Sequence, residues 1–215
     1  MELLQKLINN SSFNLVRPPY FLRKYFYELV WNIPTDEKII YLTFDDVPIP
    51  EVTPWVLQTL QQYNAQATFF CVGDNANRYP HIFEQLKNSH HTVANHTNNH
   101  LNGWHTRDKD YFKNISKANL TIQSKFFRPP YGRITHTQIH VIKKHYKIIM
   151  WDVLSKDYNT TLTGEQCFQN VITHAKPGSI VVFHDSVKAK ERLQYALPKV
   201  LKYYSDLGYR FKVIS

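Results

Sequence analysis

The chain has 215 residues, 43% of them hydrophobic and 20% charged, which is ordinary for a soluble globular protein with one substantial core. Its formal charge of +9 is scattered rather than gathered into runs, which argues against a nucleic-acid partner. No apolar run reaches the roughly 18 residues of a membrane span.

The first residues, MELLQKLINNSSFNLVRPPY, show neither an apolar leader segment nor a small-residue cleavage site. That pattern predicts a cytoplasmic protein. Tyr20–Trp31 (YFLRKYFYELVW) is basic and aromatic. It reads as a helix packed on the domain, with peripheral contact to the inner membrane face as the alternative. Residues 1–34 are therefore expected to form a helical extension, and residues 35–215 a single domain.

From Lys38 onward, strand-like and helix-like segments alternate. The strand candidates are 38–46, 67–73, 91–97, 125–130, 147–153, 179–185 and 210–215, short runs rich in Ile, Val and Phe. Between them, Thr53-Pro54 predicts a helix start with Thr53 as cap. Thr163 and Gln166 fit a capping box. Leu193, Ala196, Leu197, Val200, Leu201 and Tyr204 share one helical face over 189–204. Regular alternation implies parallel strands, and seven of them imply a closed or nearly closed barrel. Cys71 and Cys167 lack the spacing of a metal knuckle or disulfide framework and read as buried free thiols. The many aromatic residues suit core packing before sugar stacking.

Residues able to do chemistry fall at the predicted strand ends: Asp45, Asp46, His96, Arg128, Asp152 and His184. In a parallel barrel those ends form one rim, where active sites are built. His96 and His100, four apart, would face one way if a helical turn began at His96. With a nearby carboxylate they would make a three-ligand zinc site, although 11 histidines make a chance pair unremarkable. Asp45-Asp46 reads either as two solvated turn residues or as a base beside a metal ligand. His184 reads as a hydrogen-bonded structural histidine or as a general acid. RPPY occurs at 17–20 and again at 128–131. The first copy fits a turn before the N-terminal helix. The second could bend across the rim and present the Tyr131 N–H to a developing oxyanion.

Taken in order, TFDDVP (43–48), ATFFCVG (67–73), HTVANHTNNH (91–100), RPPYG (128–132), WDVLSKDY (151–158) and VVFHD (181–185) resemble the polysaccharide deacetylase family, the NodB homology domain of carbohydrate esterase family 4. The resemblance runs from about Thr43 to His184 and implies a distorted (β/α) barrel of about seven parallel strands. It implies Asp45 as base, His184 as acid, and Asp46, His96 and His100 on a divalent metal, usually zinc, with cobalt, nickel or manganese as alternatives. Arg128 would orient Asp45, the Tyr131 N–H would polarise the acetyl carbonyl, and Pro130, Tyr131, Trp151 and Tyr158 would line the substrate site. The implied reaction is attack of metal-activated water on the acetamide of an N-acetylglucosamine-containing glycan, oligosaccharide or glycolipid, by a chain expected to be a monomer. Alternatives on the same site are an O-acetyl esterase or a small-molecule amidohydrolase. A non-catalytic glycan-binding module is a third reading, which the intact site residues disfavour.

Three positions depart from the family pattern. Val47 and Ala94 replace usual glycines, and Leu154 stands where an aspartate normally supports the acid histidine. Asp152 and Asp157 are both candidates for that vacant role, and the sequence does not choose between them.

Overall fold

A computed structural model describes residues 15–215. Strand β1 (Ile39–Val47) begins the barrel, followed by α1 (Thr53–Gln62), β2 (Ala67–Cys71), α2 (Gly73–Arg78), α3 (Pro80–Asn88) and β3 (Thr92–Asn95). Then come α4 (Asp108–Ile122), β4 (Phe126–Phe127), α5 (His136–Ile142), β5 (Lys147–Ile148) and β6 (Val153–Leu154). Helix α6 (Gly164–His174), β7 (Ile180–His184), α7 (Lys190–Asp206) and β8 (Arg210–Phe211) complete the domain.

Every strand pairing is parallel. The order is β5-β4-β3-β2-β1-β7-β6, with β8 added beside the start of β1. The expected distorted barrel is therefore present, with one change in its wall. The candidate strand 147–153 is not one strand. Its first half pairs with β4, and the chain then crosses so that β6 pairs with β7. The sheet curls until its two edge strands are nearly consecutive in sequence. The crossing is held because the Ile149 and Met150 carbonyls turn inward to Arg128 while the Met150 N–H bonds the Val30 carbonyl.

Residue alternation explains the layers. Along β1, Ile40, Leu42 and Phe44 join the cluster shared with the helices, while Ile39 and Tyr41 face the barrel interior. Phe69 of β2 and Val181 and Phe183 of β7 meet the same helical layer, whereas Phe70 and Ile180 point inside. Each such fully buried Leu or Phe is worth about 1.5–3 kcal/mol relative to exposure. The predicted face of α7 is buried in full, and Thr163 and Gln166 form their capping box. Both cysteines are free and buried.

Thr53 is not a cap. It is the first residue of α1 and its hydroxyl accepts the Ile49 N–H, tying the helix to the loop before it.

Of the expected extension over 1–34, residues 1–14 lie outside the described residues. In the remainder only Tyr20–Tyr25 is helical, far short of Tyr20–Trp31. After it the chain turns extended and becomes part of the wall: Val30 bridges Ile149 and Asn32 bridges Ser179. Gly178, at φ 81, permits this approach, since a Cβ there would lie 2.1 Å from the Ile33 carbonyl oxygen. No helix among the described residues is long and apolar enough to cross a membrane.

Candidate active site

The interior face of β1 carries Tyr41, Thr43 and Asp45, so strict alternation would send Asp46 outward. The backbone breaks the alternation there. Asp46 adopts φ 74, and the pairing with β2 shifts register between Phe44 and Val47. Such an irregularity re-aims a side chain, and both carboxylates reach the rim.

Asp45 is buried and fixed by Arg128, whose Nη1 donates to Asp45 Oδ1 at 2.7 Å and to Thr43 Oγ1 at 2.8 Å. The remaining guanidinium donors go to the Ile149 and Met150 carbonyls, and the Phe70 ring lies 3.9 Å away. Arg128 is itself fully buried and Asp45 nearly so, which shields this contact from water. Burial, the largest influence, would raise the Asp45 pKa. Arg128, aided by His96 and His184, outweighs it and holds the carboxyl below its ordinary range.

The expected helical turn at His96 does not form. His96 and His100 lie in a loop whose bends at Thr97 (φ 64) and His100 (φ 58) are anchored by side chains. Asn95 Oδ1 accepts the Thr97 N–H, Thr97 Oγ1 accepts the Leu101 N–H, and Asn114 accepts the Asn98 N–H. These local bonds outcompete the helical ones. The imidazoles nevertheless converge, with ring centroids 5.0 Å apart.

Their ligand atoms and an Asp46 carboxylate oxygen all lie within 4.8 Å of one another. His96 Nδ1 bonds the Arg128 carbonyl at 2.8 Å and His100 Nδ1 bonds the Tyr131 hydroxyl at 3.0 Å. Each Nε2 is thereby turned toward Asp46, at 4.0 and 3.2 Å from Oδ1. Burial pushes the His96 pKa down to about 3, so its ring is neutral. Burial, with Asp45 and Asp157 nearby, raises the Asp46 carboxyl despite His184 and His100. Two imidazoles with occupied Nδ1 atoms and one carboxylate fit a divalent ion with open positions.

His184 ends β7 and is the register partner of Asp45 on β1. Asp157 Oδ1 lies 2.8 Å from His184 Nδ1, and Asp157 Oδ2 accepts the His184 N–H at 2.8 Å. Asp157 is fully buried, and Arg192 binds its carbonyl. Burial would lower the His184 pKa, but the Asp157 charge and hydrogen bond overcome it and raise it to about 9. Asp157 therefore occupies the role left vacant by Leu154. Its signal in the sequence was only its closeness to that gap. Asp152, expected on the rim, lies instead just before β6, alongside the start of β7. It is bound by Arg17, Arg23 and Ser179.

Tyr158 stacks edge-on against His184 with centroids 4.7 Å apart. Tyr131 is exposed at φ 61 in a tight turn after buried Pro130. Gly132 follows at φ 66, and Trp151 fills the space a side chain there would need. Trp151 is half-buried and packs into the core clusters, so it props the RPPYG turn from beneath. Thr43 and Phe70, which locate Arg128, lie within TFDDVP and ATFFCVG but were not among the expected site residues.

The fold is that of the (β/α) barrels, here with an Asp/His/His group at the rim able to hold a metal ion. Residues 32–147 match the family model described as polysaccharide deacetylase. The chain belongs to the polysaccharide deacetylase family. A peptidoglycan-N-acetylglucosamine deacetylase of Bacillus cereus is 34% identical over 199 residues, covering 87% of this chain and 91% of the relative. A chitooligosaccharide deacetylase of Azorhizobium caulinodans is 32% identical over 168 residues, 74% of this chain and 80% of that one. Among solved structures, the Bc1960 peptidoglycan N-acetylglucosamine deacetylase superposes with a TM-score of 0.84 at 28% identity, covering 92% of this chain and 95% of the other.

Proposed function

We propose that this chain hydrolyses the N-acetyl group of N-acetylglucosamine units in a glycan, with zinc as the best-suited ion. The observation carrying this reading is the convergence of Asp46, His96 and His100 beside the Arg128-bound Asp45, with His184 on the adjoining strand. The similarity to peptidoglycan and chitooligosaccharide deacetylases supports the substrate class.

Asp46 Oδ1, His96 Nε2 and His100 Nε2 would hold the ion. When bound, it supplies a Lewis acid that polarises the acetyl carbonyl and lowers the pKa of water. Asp45, kept ionised by Arg128, takes a proton from the attacking water as the water oxygen bonds to the acetyl carbon. Negative charge then collects on the former carbonyl oxygen, where the Tyr131 N–H is the proposed donor. His184, protonated at neutral pH through Asp157, gives its proton to the amide nitrogen as the C–N bond breaks. Acetate and a free amine result. Tyr158 forms one wall of the acetyl site beside His184.

Acetate release from chito-oligosaccharides and from peptidoglycan, with and without chelator, tests the proposal. We expect release that chelator abolishes and zinc restores. Acetate released from an O-acetylated polysaccharide alone would move the assignment to an esterase. No bound metal and no turnover on any acetylated glycan would leave only a binding module.

A further inference from the structure

The other end of the barrel has its own cleft, of about 810 Å³. It lies at the strand starts: Lys176 on its wall precedes β7, and Asn32 beside it bridges Ser179. His184 ends that same strand, about 13 Å further along at the usual rise per residue. Arg17, Arg23, Lys24 and Lys176 line the cleft, and no Asp or Glu does so among the described residues. Arg17 and Arg23 share a single carboxylate, that of buried Asp152. Lys24 and Lys176 are exposed. Four cations over one carboxylate leave three uncompensated positive charges. Tyr20 and Tyr27 stand on the lip, each 80% exposed, and Phe21 and Tyr25 beside them are also more than half exposed.

We propose that this end of the barrel docks on an anionic phospholipid surface. Phosphate headgroups meet Lys24, Lys176 and the outer edges of the two arginines, and the four aromatic rings settle at headgroup level. Amphipathic rings gain free energy in that zone, and each basic residue near an anionic leaflet adds about 1 kcal/mol. A soluble acidic polymer would explain the cations but gives no reason to keep four aromatic rings in water. Because the strand starts face the lipid, the strand ends with Asp45 and His184 face away from it. A glycan can then reach the site without leaving the aqueous side. The inference does not rest on the reaction assigned above.

Flotation of the full chain with vesicles of phosphatidylcholine alone, or of equal parts phosphatidylcholine and phosphatidylglycerol, tests it. We expect binding to the anionic vesicles only, weakening as salt rises. Lys24→Gln with Lys176→Gln should weaken binding about thirtyfold, two basic residues at about 1 kcal/mol each. Tyr20→Ser with Tyr27→Ser should weaken it about tenfold by removing buried ring area. Thermal unfolding should show both variants folded like the parent. Equal binding to neutral vesicles, or no binding to anionic ones, overturns the proposal. So does unchanged binding by both variants. Lysine-dependent capture of heparin without vesicle binding also overturns it and reassigns the cleft to a soluble acidic polymer.

Discussion

Each end of the barrel holds a buried carboxylate gripped by arginine, and the two are bound differently. At the strand starts, Asp152 has both oxygens filled: Oδ1 accepts from Arg17 and Arg23, and Oδ2 from Arg17 and Ser179. At the strand ends, Arg128 engages only Oδ1 of Asp45, and Oδ2 lies 4.0 Å from His96 Nε2, outside bonding distance. A saturated carboxylate closes a network and fastens chain segments together, here the N-terminal segment to the barrel wall. A half-engaged one is ionised and aimed, with an oxygen left to take a proton. Arginine pairing alone therefore does not mark a carboxylate that acts as a base. The free lone pairs do.

Replacing each aspartate tests that contrast most sharply. Asp45→Asn should lower kcat for acetate release by about 10²- to 10⁴-fold, the usual worth of a general base. Its zinc content should change little, but its melting temperature should fall, because fully buried Arg128 loses the charge of its only carboxylate partner among the described residues. Asp152→Asn should cost about 1–3 kcal/mol in denaturant unfolding, because the two arginines that lose its charge are partly exposed to water. Turnover per folded molecule should persist. Equal loss of rate in both variants would erase the distinction between the two ends.

A smaller effect is expected at the rim from Tyr131→Phe, which removes the hydroxyl facing His100 Nδ1. Zinc affinity, measured by competition with a chelator, should fall about 10- to 100-fold. Unchanged affinity would show that the His100 ring is held by the loop alone.

The pH profile gives the finest test. His184 acts as acid only while protonated, so the rate should decline as pH rises through about 9. Asp157 is what raises that pKa against burial. In Asp157→Asn the alkaline decline should therefore begin at lower pH, with His184 already losing its proton nearer neutrality. A decline at the same pH in both proteins would assign that limb to a different group.

The sequence alone determined the alternation of strands and helices, the apolar face of α7, the capping box at Thr163 and, Asp152 excepted, the residues that meet at the rim. These follow from periodicities and short-range hydrogen bonds, which the order of residues encodes directly. Tertiary structure decided what local patterns leave open. The segment 147–153 reads as one strand because each half is apolar, but its two halves pair with different neighbours, and only the closing of the sheet shows this. His96 and His100 sit at helical spacing, yet Asn95, Thr97 and Asn114 capture the loop backbone and bring the rings together without a helix. The choice between Asp152 and Asp157 depended on which carboxylate the folded chain delivers to His184. Both are aspartates close to Leu154 in the sequence, and the partners that separate them lie up to 135 residues away.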